Sequence, residues 1–285
     1  MLVCHLAVVL PAFNEAEGLP GFLAEIETAL YGRVERLTFL VVNDASTDDT
    51  VAQLARMRVR DDLTVVTNPV NRGHGPSALA AYRGGLATGA DAVLHVDGDG
   101  QFVGNDLARV LDGLNGHDGV VGVRRERHDP WFRRALTGML FVAAWRLTRA
   151  RLPDVNSPLR LYRAGTLRTL LALVPENSMV PHIRFSLLEN RERLCIARVS
   201  VQSIPRRSSV ATGTMWGSGS RAPFLLPPRR LTRFVVKAGW ELWNDRPTRR
   251  QRCGTTPATT ASTPTQLPSA PCAPTRPGTA PPELT

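Results

Sequence analysis

Val93-Leu94-His95-Val96-Asp97-Gly98-Asp99-Gly100-Gln101 is an apolar run that ends in two aspartates one residue apart, with glycine between and after them. A buried strand that stops at Asp-x-Asp puts two carboxylates at the carboxyl edge of a sheet. In α/β proteins that edge is where ligands bind. Two hard oxygen ligands there suit Mg²⁺ or Mn²⁺ holding a diphosphate. Asp-Gly is also a common turn dipeptide, so the segment alone reads equally as a surface turn.

Upstream of this stretch, strand and helix patterns alternate. His5–Leu10 is a short apolar strand, and Asn14 and Glu15 open a helix that reaches about Leu30. Leu37–Val42 is a second strand, followed by a helix opening at Ser46-Thr47. Leu63–Val66 is a third, Gly73–Ala87 a helix of small residues, Ala92–Val96 the fourth strand and Gly119–Val123 the fifth. This alternation implies βαβ units, a mostly parallel twisted sheet flanked by helices, and right-handed crossovers. From Arg124 the pattern changes. Arg124, Arg125, Arg127, Arg133 and Arg134 precede an amphipathic helix over 135–150 that contains Leu136, Leu140, Phe141, Trp145 and Leu147. Leu159–Tyr162 reads as a strand, Met179–Glu189 as a helix and Leu194–Val201 as a strand. Beyond Pro247 the chain is rich in Thr, Pro, Ala and Ser, a composition that cannot bury enough apolar surface to fold.

The chain has 285 residues, 43% of them hydrophobic, enough for one large or two small domains. Its formal net charge is +10, carried almost wholly by arginine, since Lys237 is the single lysine. Arginine forks pair bidentately with phosphate; an arginine-biased composition explains the charge equally well. Cys4, Cys195, Cys253 and Cys272 form no CxxC or zinc spacing, so the reading is a reducing compartment without a disulfide framework. The N-terminus has no basic lead-in to a signal peptide, and no run approaches the roughly 20 apolar residues of a membrane span. Nucleic-acid binding is disfavoured by the 6% aromatic content and the lack of a helix-turn-helix or zinc pattern. A dinucleotide-binding protein is disfavoured because no Gly-x-Gly-x-x-Gly follows the first strand.

Four loops follow strands in the first half: Pro11-Ala12-Phe13-Asn14-Glu15, Asn43-Asp44-Ala45-Ser46-Thr47-Asp48, Asn71-Arg72-Gly73-His74-Gly75, and Asp97-Gly98-Asp99-Gly100-Gln101. Singly, each reads as a helix cap or a turn. Together, and with Gly122-Val123-Arg124 and Asp154-Val155-Asn156-Ser157-Pro158-Leu159-Arg160-Leu161-Tyr162-Arg163, they resemble glycosyltransferase family 2, of the GT-A fold. The resemblance covers roughly residues 5–210, and its later pieces look most like the dolichyl- and polyprenyl-phosphate sugar transferase branch. It implies a nucleotide-sugar-binding half over 1–125 and an acceptor-binding half over 126–215. A basic amphipathic segment over 216–246 and a disordered tail over 247–285 follow.

By that resemblance Pro11, Ala12, Asn14 and Glu15 line the nucleotide pocket. Asp44 contacts the base, with Arg72 and Gly73 beside it. Asp97 and Asp99 hold Mg²⁺ or Mn²⁺ and the diphosphate, with Gln101 close by, and Arg124, Arg134 and Arg160 face the acceptor or the leaving diphosphate. The family usually carries two acids where this chain has Asn43-Asp44, and a glycine after an arginine where it has Pro205-Arg206-Arg207-Ser208-Ser209. The Gln-x-x-Arg-Trp signature of processive polysaccharide synthases is absent, which disfavours polymerisation. The implied reaction is inverting transfer of a hexosyl group from a nucleotide-diphosphate sugar to a polyprenyl phosphate. A soluble glycan or small-molecule hydroxyl is the alternative acceptor, and a lapsed enzyme that only binds donor stays open. A hydroxyl acceptor needs a base; a phosphate does not. Glu176 and Glu189 are the acids in 175–190 that could serve as such a base, and both read as well as surface helix residues. The helix 135–150 reads as a packing helix or as an interfacial one with Arg133, Arg134, Arg146 and Arg149 on headgroups. Phe224-Leu225-Leu226 with Arg229, Arg230, Arg233 and Lys237 adds a second candidate contact. The expected location is the cytoplasm, with peripheral binding to the anionic inner face of the cell membrane.

Overall fold

β1 (His5–Ala12) is buried along its whole length. A strand covered on both faces reads as a continuous apolar run instead of an alternating one. Its side chains divide between two cores. Leu6, Val8 and Leu10 pack with Phe22, Ile26 and Val110. Ala7 and Val9 pack with Leu79, Tyr82, Leu167 and Phe185. This is the period-two alternation of a pleated strand. The computed structural model describes residues 3–57, 62–125 and 153–207. Arg134, the helix expected over 135–150, the segment 216–246 and the tail 247–285 lie outside those residues.

In chain order the elements after β1 are α1 (Leu19–Leu30), β2 (Arg36–Asn43), α2 (Thr50–Met57), β3 (Leu63–Thr67), α3 (His74–Ala87), β4 (Ala92–His95) and α4 (Gly104–Asp112). β5 (Gly119–Arg124), β6 (Arg160–Arg163), α5 (Ala164–Leu173), α6 (Pro181–Arg191) and β7 (Ile196–Val201) complete the set. They build a seven-stranded sheet in the order β3-β2-β1-β4-β6-β5-β7. β1, β2, β3 and β4 are mutually parallel. β6 runs antiparallel between β4 and β5, and β7 pairs parallel with β5. The chain leaves β1 toward β2 and β3 on one side, then crosses to β4 on the other. The carboxyl ends of β1 and β4 therefore flank a topological switch point, where α/β sheets open a ligand crevice.

Three details differ from the sequence expectation. α1 begins at Leu19 and not at Asn14, because Asn14 sits at φ 56° and interrupts the helical path. Pro20 stands in the first turn, where its missing N–H costs nothing. Helices α4 and α5 had not been anticipated, although the Leu107, Val110 and Leu111 spacing that buries α4 is helical.

Candidate active site

The loops at the carboxyl edge are knitted to one another by backbone hydrogen bonds. Asp44 N–H donates to Ala12 O at 2.9 Å, and Gly98 N–H to Pro11 O at 3.1 Å. A Cβ on Gly98 would stand 2.9 Å from that same Pro11 oxygen, so the close approach needs glycine. Asn14 and Glu15 join the first loop to the second. Asn14 N–H donates to Ser46 Oγ at 3.0 Å, and its Oδ1 accepts Thr47 N–H at 2.8 Å. Glu15 N–H donates to Thr50 Oγ1 at 2.9 Å.

Asp44 is buried and clamps the third loop. Its Oδ1 accepts Asn68 Nδ2 at 2.8 Å and Arg72 N–H at 2.9 Å, and its Oδ2 accepts Gly73 N–H at 2.9 Å. Arg72 and Gly73 thus meet Asp44 through their backbone amides. Gly73 adopts φ 86°, which leads the chain into α3. Pro11 and Ala12 are buried at the end of β1.

Asp97 and Asp99 follow β4 at the switch point, both partly buried. Burial, and next the charge of Asp97, push the Asp99 carboxyl up to about 7. Asp99 Oδ1 accepts Gln101 N–H at 3.2 Å. Asp97 Oδ1 is buried without a hydrogen-bond partner, and His74 Nε2 lies 3.7 Å from it. Two like charges held together, one with an unsatisfied oxygen, are what a divalent cation relieves. Among the described residues no three His, Cys, Asp or Glu side chains form a metal-holding group. The pair alone fits Mg²⁺ or Mn²⁺, which is commonly held by one or two carboxylates and completed by substrate phosphates.

The segment after β7 reaches back to this loop. Ile204 N–H donates to Gln101 O at 3.0 Å and Arg207 N–H to Asp99 O at 3.2 Å. Arg207 Nε donates to Gly100 O at 2.9 Å and Nη2 to Phe102 O at 3.0 Å. Arg206 pairs with the Glu15 carboxylate and donates to Asn14 O at 3.1 Å. Burial pushes Glu15 up to about 7 against the pull of Arg206. Neither Arg206 nor Arg207 carries a role in the sequence expectation. The paired arginines directly after a strand were the available signal.

Arg124 is held by Asp154, with Nε and Nη2 each donating to the carboxylate at 2.8 Å. Arg160 corrects the expectation that it faces acceptor or diphosphate. It is fully buried. Its nitrogens donate to Ser157 O at 2.8 Å, Tyr162 Oη at 2.9 Å, Glu189 Oε1 at 2.8 Å, Val155 O at 2.9 Å and Ser186 Oγ at 2.7 Å. Every direction of its donor fork is committed inside the protein, so it braces β6 against α6. Glu189, expected on a surface, is buried as its partner, whereas Glu176 is exposed and pairs with Arg83 at 3.6 Å.

A cluster of rings lies behind Asp97. Tyr82 stacks on His95 with centroids 4.6 Å apart, and His95 meets His182 edge-on at 4.8 Å. Tyr82 Oη, His95 Nε2 and His182 Nε2 are buried without a hydrogen-bond partner. Left dry, each such atom costs about 1–3 kcal/mol. Burial pulls His95 down to about 4 and His182 well below its ordinary value, so both rings are neutral at pH 7.

An acid pair at the switch point of a mixed α/β sheet, with arginines folded over its loop, is the architecture of a GT-A-type domain. The family model for glycosyl transferase family 2 matches residues 7–171, and the chain belongs to that family. Over 196 residues it is 29% identical to the undecaprenyl-phosphate 4-deoxy-4-formamido-L-arabinose transferase of Pseudomonas fluorescens, covering 66% of this chain and 58% of that protein. The enzyme of the same description from Pseudomonas aeruginosa is 29% identical over 176 residues, covering 61% and 52%. The chain thus spans little more than half the length of these curated relatives. The fold is shared with glucosyl-3-phosphoglycerate synthase from Mycobacterium tuberculosis, solved with Mn²⁺ and uridine-diphosphate-glucose. That match has a TM-score of 0.57 at 20% identity and covers 85% of this chain and 78% of that one. It is also shared with the mannosyltransferase PcManGT from Pyrobaculum calidifontis, solved with GDP-Man and Mn²⁺ (TM-score 0.50, 21% identity, 73% and 59% covered). No helix among the described residues is long and apolar enough to cross a membrane.

Proposed function

We propose that this chain is an inverting hexosyltransferase that moves a sugar from a nucleotide-diphosphate sugar to a polyprenyl phosphate. The observation that carries the reading is the Asp97/Asp99 pair, two carboxylates at the sheet edge whose charges oppose each other, with Asp97 Oδ1 unsatisfied and 3.7 Å from His74 Nε2. Cleaving the sugar–phosphate bond develops negative charge on the departing diphosphate. Mg²⁺ or Mn²⁺ bound there would neutralise that charge. The protein's own part is to hold the donor along the Pro11–Glu15 and Asp44–Gly73 loops. Arg206 offers a guanidinium beside the same loops.

The acceptor choice is supported by the commitment of three acids among the described residues. Glu189 is bound to Arg160, Glu15 to Arg206 and Asp154 to Arg124. A hydroxyl nucleophile needs a base placed near it. A lipid phosphate, with a second pKa near 6, is already largely a dianion at neutral pH and needs none. The curated relatives, by their names, act on undecaprenyl phosphate, which agrees with this choice. Arg133, Arg134 and the basic segments at 135–150 and 216–246 are proposed to bring the chain to an anionic membrane surface.

The test is a donor screen with Mn²⁺ or Mg²⁺, with and without polyprenyl phosphate, reading release of nucleoside diphosphate. Release that depends on both the cation and the lipid phosphate is expected. Equal release with a soluble glycan acceptor and none with the lipid would overturn the acceptor assignment.

A further inference from the structure

The ring cluster behind the acid pair gathers four buried side-chain atoms that lack a partner: Tyr82 Oη, His95 Nε2, His182 Nε2 and Asp97 Oδ1. They come from α3, the end of β4 and the first turn of α6. Contacts between the side chains are continuous. Tyr82 stacks on His95 at 4.6 Å, His95 meets His182 at 4.8 Å, and His182 meets His74 at 5.8 Å. His74 Nε2 then stands 3.7 Å from Asp97 Oδ1.

None of these four atoms makes a hydrogen bond to another in this structure. His95 Nδ1 lies 2.7 Å from Pro158 O, and a carbonyl can only accept. The proton is therefore on Nδ1, and in the neutral ring Nε2 presents a lone pair. Asp97 Oδ1 is likewise an acceptor when ionised. Tyr82 Oη, which could donate, bonds neither of these acceptors, and native interiors rarely leave such groups dry. Water supplies two donors and accepts from Tyr82 Oη, and buried waters characteristically sit among otherwise unsatisfied polar groups.

We propose that Tyr82, His95 and His182 enclose ordered water that hydrogen-bonds Asp97 Oδ1 from behind, which makes the three residues positioning residues for the acid pair. A carboxylate oxygen has a second lone pair, so the water does not compete with a cation for Asp97. Carboxylates that bind metals are characteristically held by such outer hydrogen bonds. The positioning half rests on Asp97 being a cation ligand, as proposed above; the hydration half does not.

Three measurements on the full chain test this. A metal-free crystal structure should show ordered water within about 3.2 Å of His95 Nε2 and of Asp97 Oδ1; well-ordered rings with no water at these atoms overturn the proposal. Tyr82→Phe should lower the melting temperature by about 2–4 °C, the loss of roughly one hydrogen bond. In a dry pocket the same change removes an unsatisfied hydroxyl, and an unchanged or raised melting temperature contradicts hydration. For positioning, Mn²⁺ binding is read by electron paramagnetic resonance. His182→Phe should weaken it about tenfold, and His182→Gln, which can still hydrogen-bond water, should restore most of the loss. Wild-type affinity in His182→Phe rejects positioning and leaves hydration standing. Absence of Mn²⁺ binding in the wild type removes the cation reading instead, with the crystal and melting results still deciding the water.

Discussion

At the scale of single residues, Asp99 carries two opposed effects. It is destabilising as a charge, and the proposed function needs it as a cation ligand. Asp99→Asn keeps the shape and removes the charge. It should lower kcat/KM by about 10²–10³-fold, measured as nucleoside diphosphate release. In metal-free protein the same change should raise stability at pH 8. The folded carboxyl titrates near 7, above its ordinary 3.8, so at pH 8 it is ionised at a cost. As pH falls through 7 the wild-type group protonates in the folded state and recovers that stability. The variant's advantage should therefore shrink toward pH 4. Melting curves with a chelator present read it directly, and an advantage constant with pH would contradict the assignment. The place of the acid pair at the sheet edge was legible because an apolar run ends directly before it, although the segment alone reads equally as a surface turn. Arg160 was misassigned for a physical reason: sequence shows an arginine at a strand but not Glu189, 29 positions on, waiting inside the core. Arg206 went unassigned because its partner Glu15 lies 191 positions away.

At the scale of elements, the buried Arg160–Glu189 pair ties β6 to α6, with Tyr162 and Ser186 sharing the network. Removing one partner leaves an uncompensated charge in the interior. Glu189→Ala should destabilise by about 3–5 kcal/mol, seen in urea or thermal unfolding. The loss should be the same in a background already inactivated by Asp99→Asn, since the pair is structural. Full stability of Glu189→Ala would contradict the bracing role. The central strands β1 and β4 were readable because burial on both faces makes them largely apolar. α4 and α5 were not anticipated, although α4 shows a helical spacing of Leu107, Val110 and Leu111. The start of α1 was misplaced because the left-handed backbone at Asn14 is fixed by Ser46 and Thr47, which lie on another loop.

At the scale of the whole molecule, the order β3-β2-β1-β4-β6-β5-β7 puts the first three loops and the Asp97/Asp99 loop along one sheet edge. The antiparallel insertion of β6 could not be read from periodicity, since a four-residue buried strand looks alike in either direction. With a net charge of +10, the chain should co-sediment with vesicles containing anionic lipid at low salt. That binding should fade as salt shortens the screening length below about 10 Å. No binding at low salt would remove the peripheral-membrane part of the proposal. The most direct measurement is a crystal structure with Mn²⁺ and a nucleotide-diphosphate sugar, read by the anomalous signal of manganese. The expected result is one peak within bonding distance of the Asp97 and Asp99 carboxylates and of the diphosphate. A peak elsewhere, or donor bound with both carboxylates turned from it, would contradict the central claim.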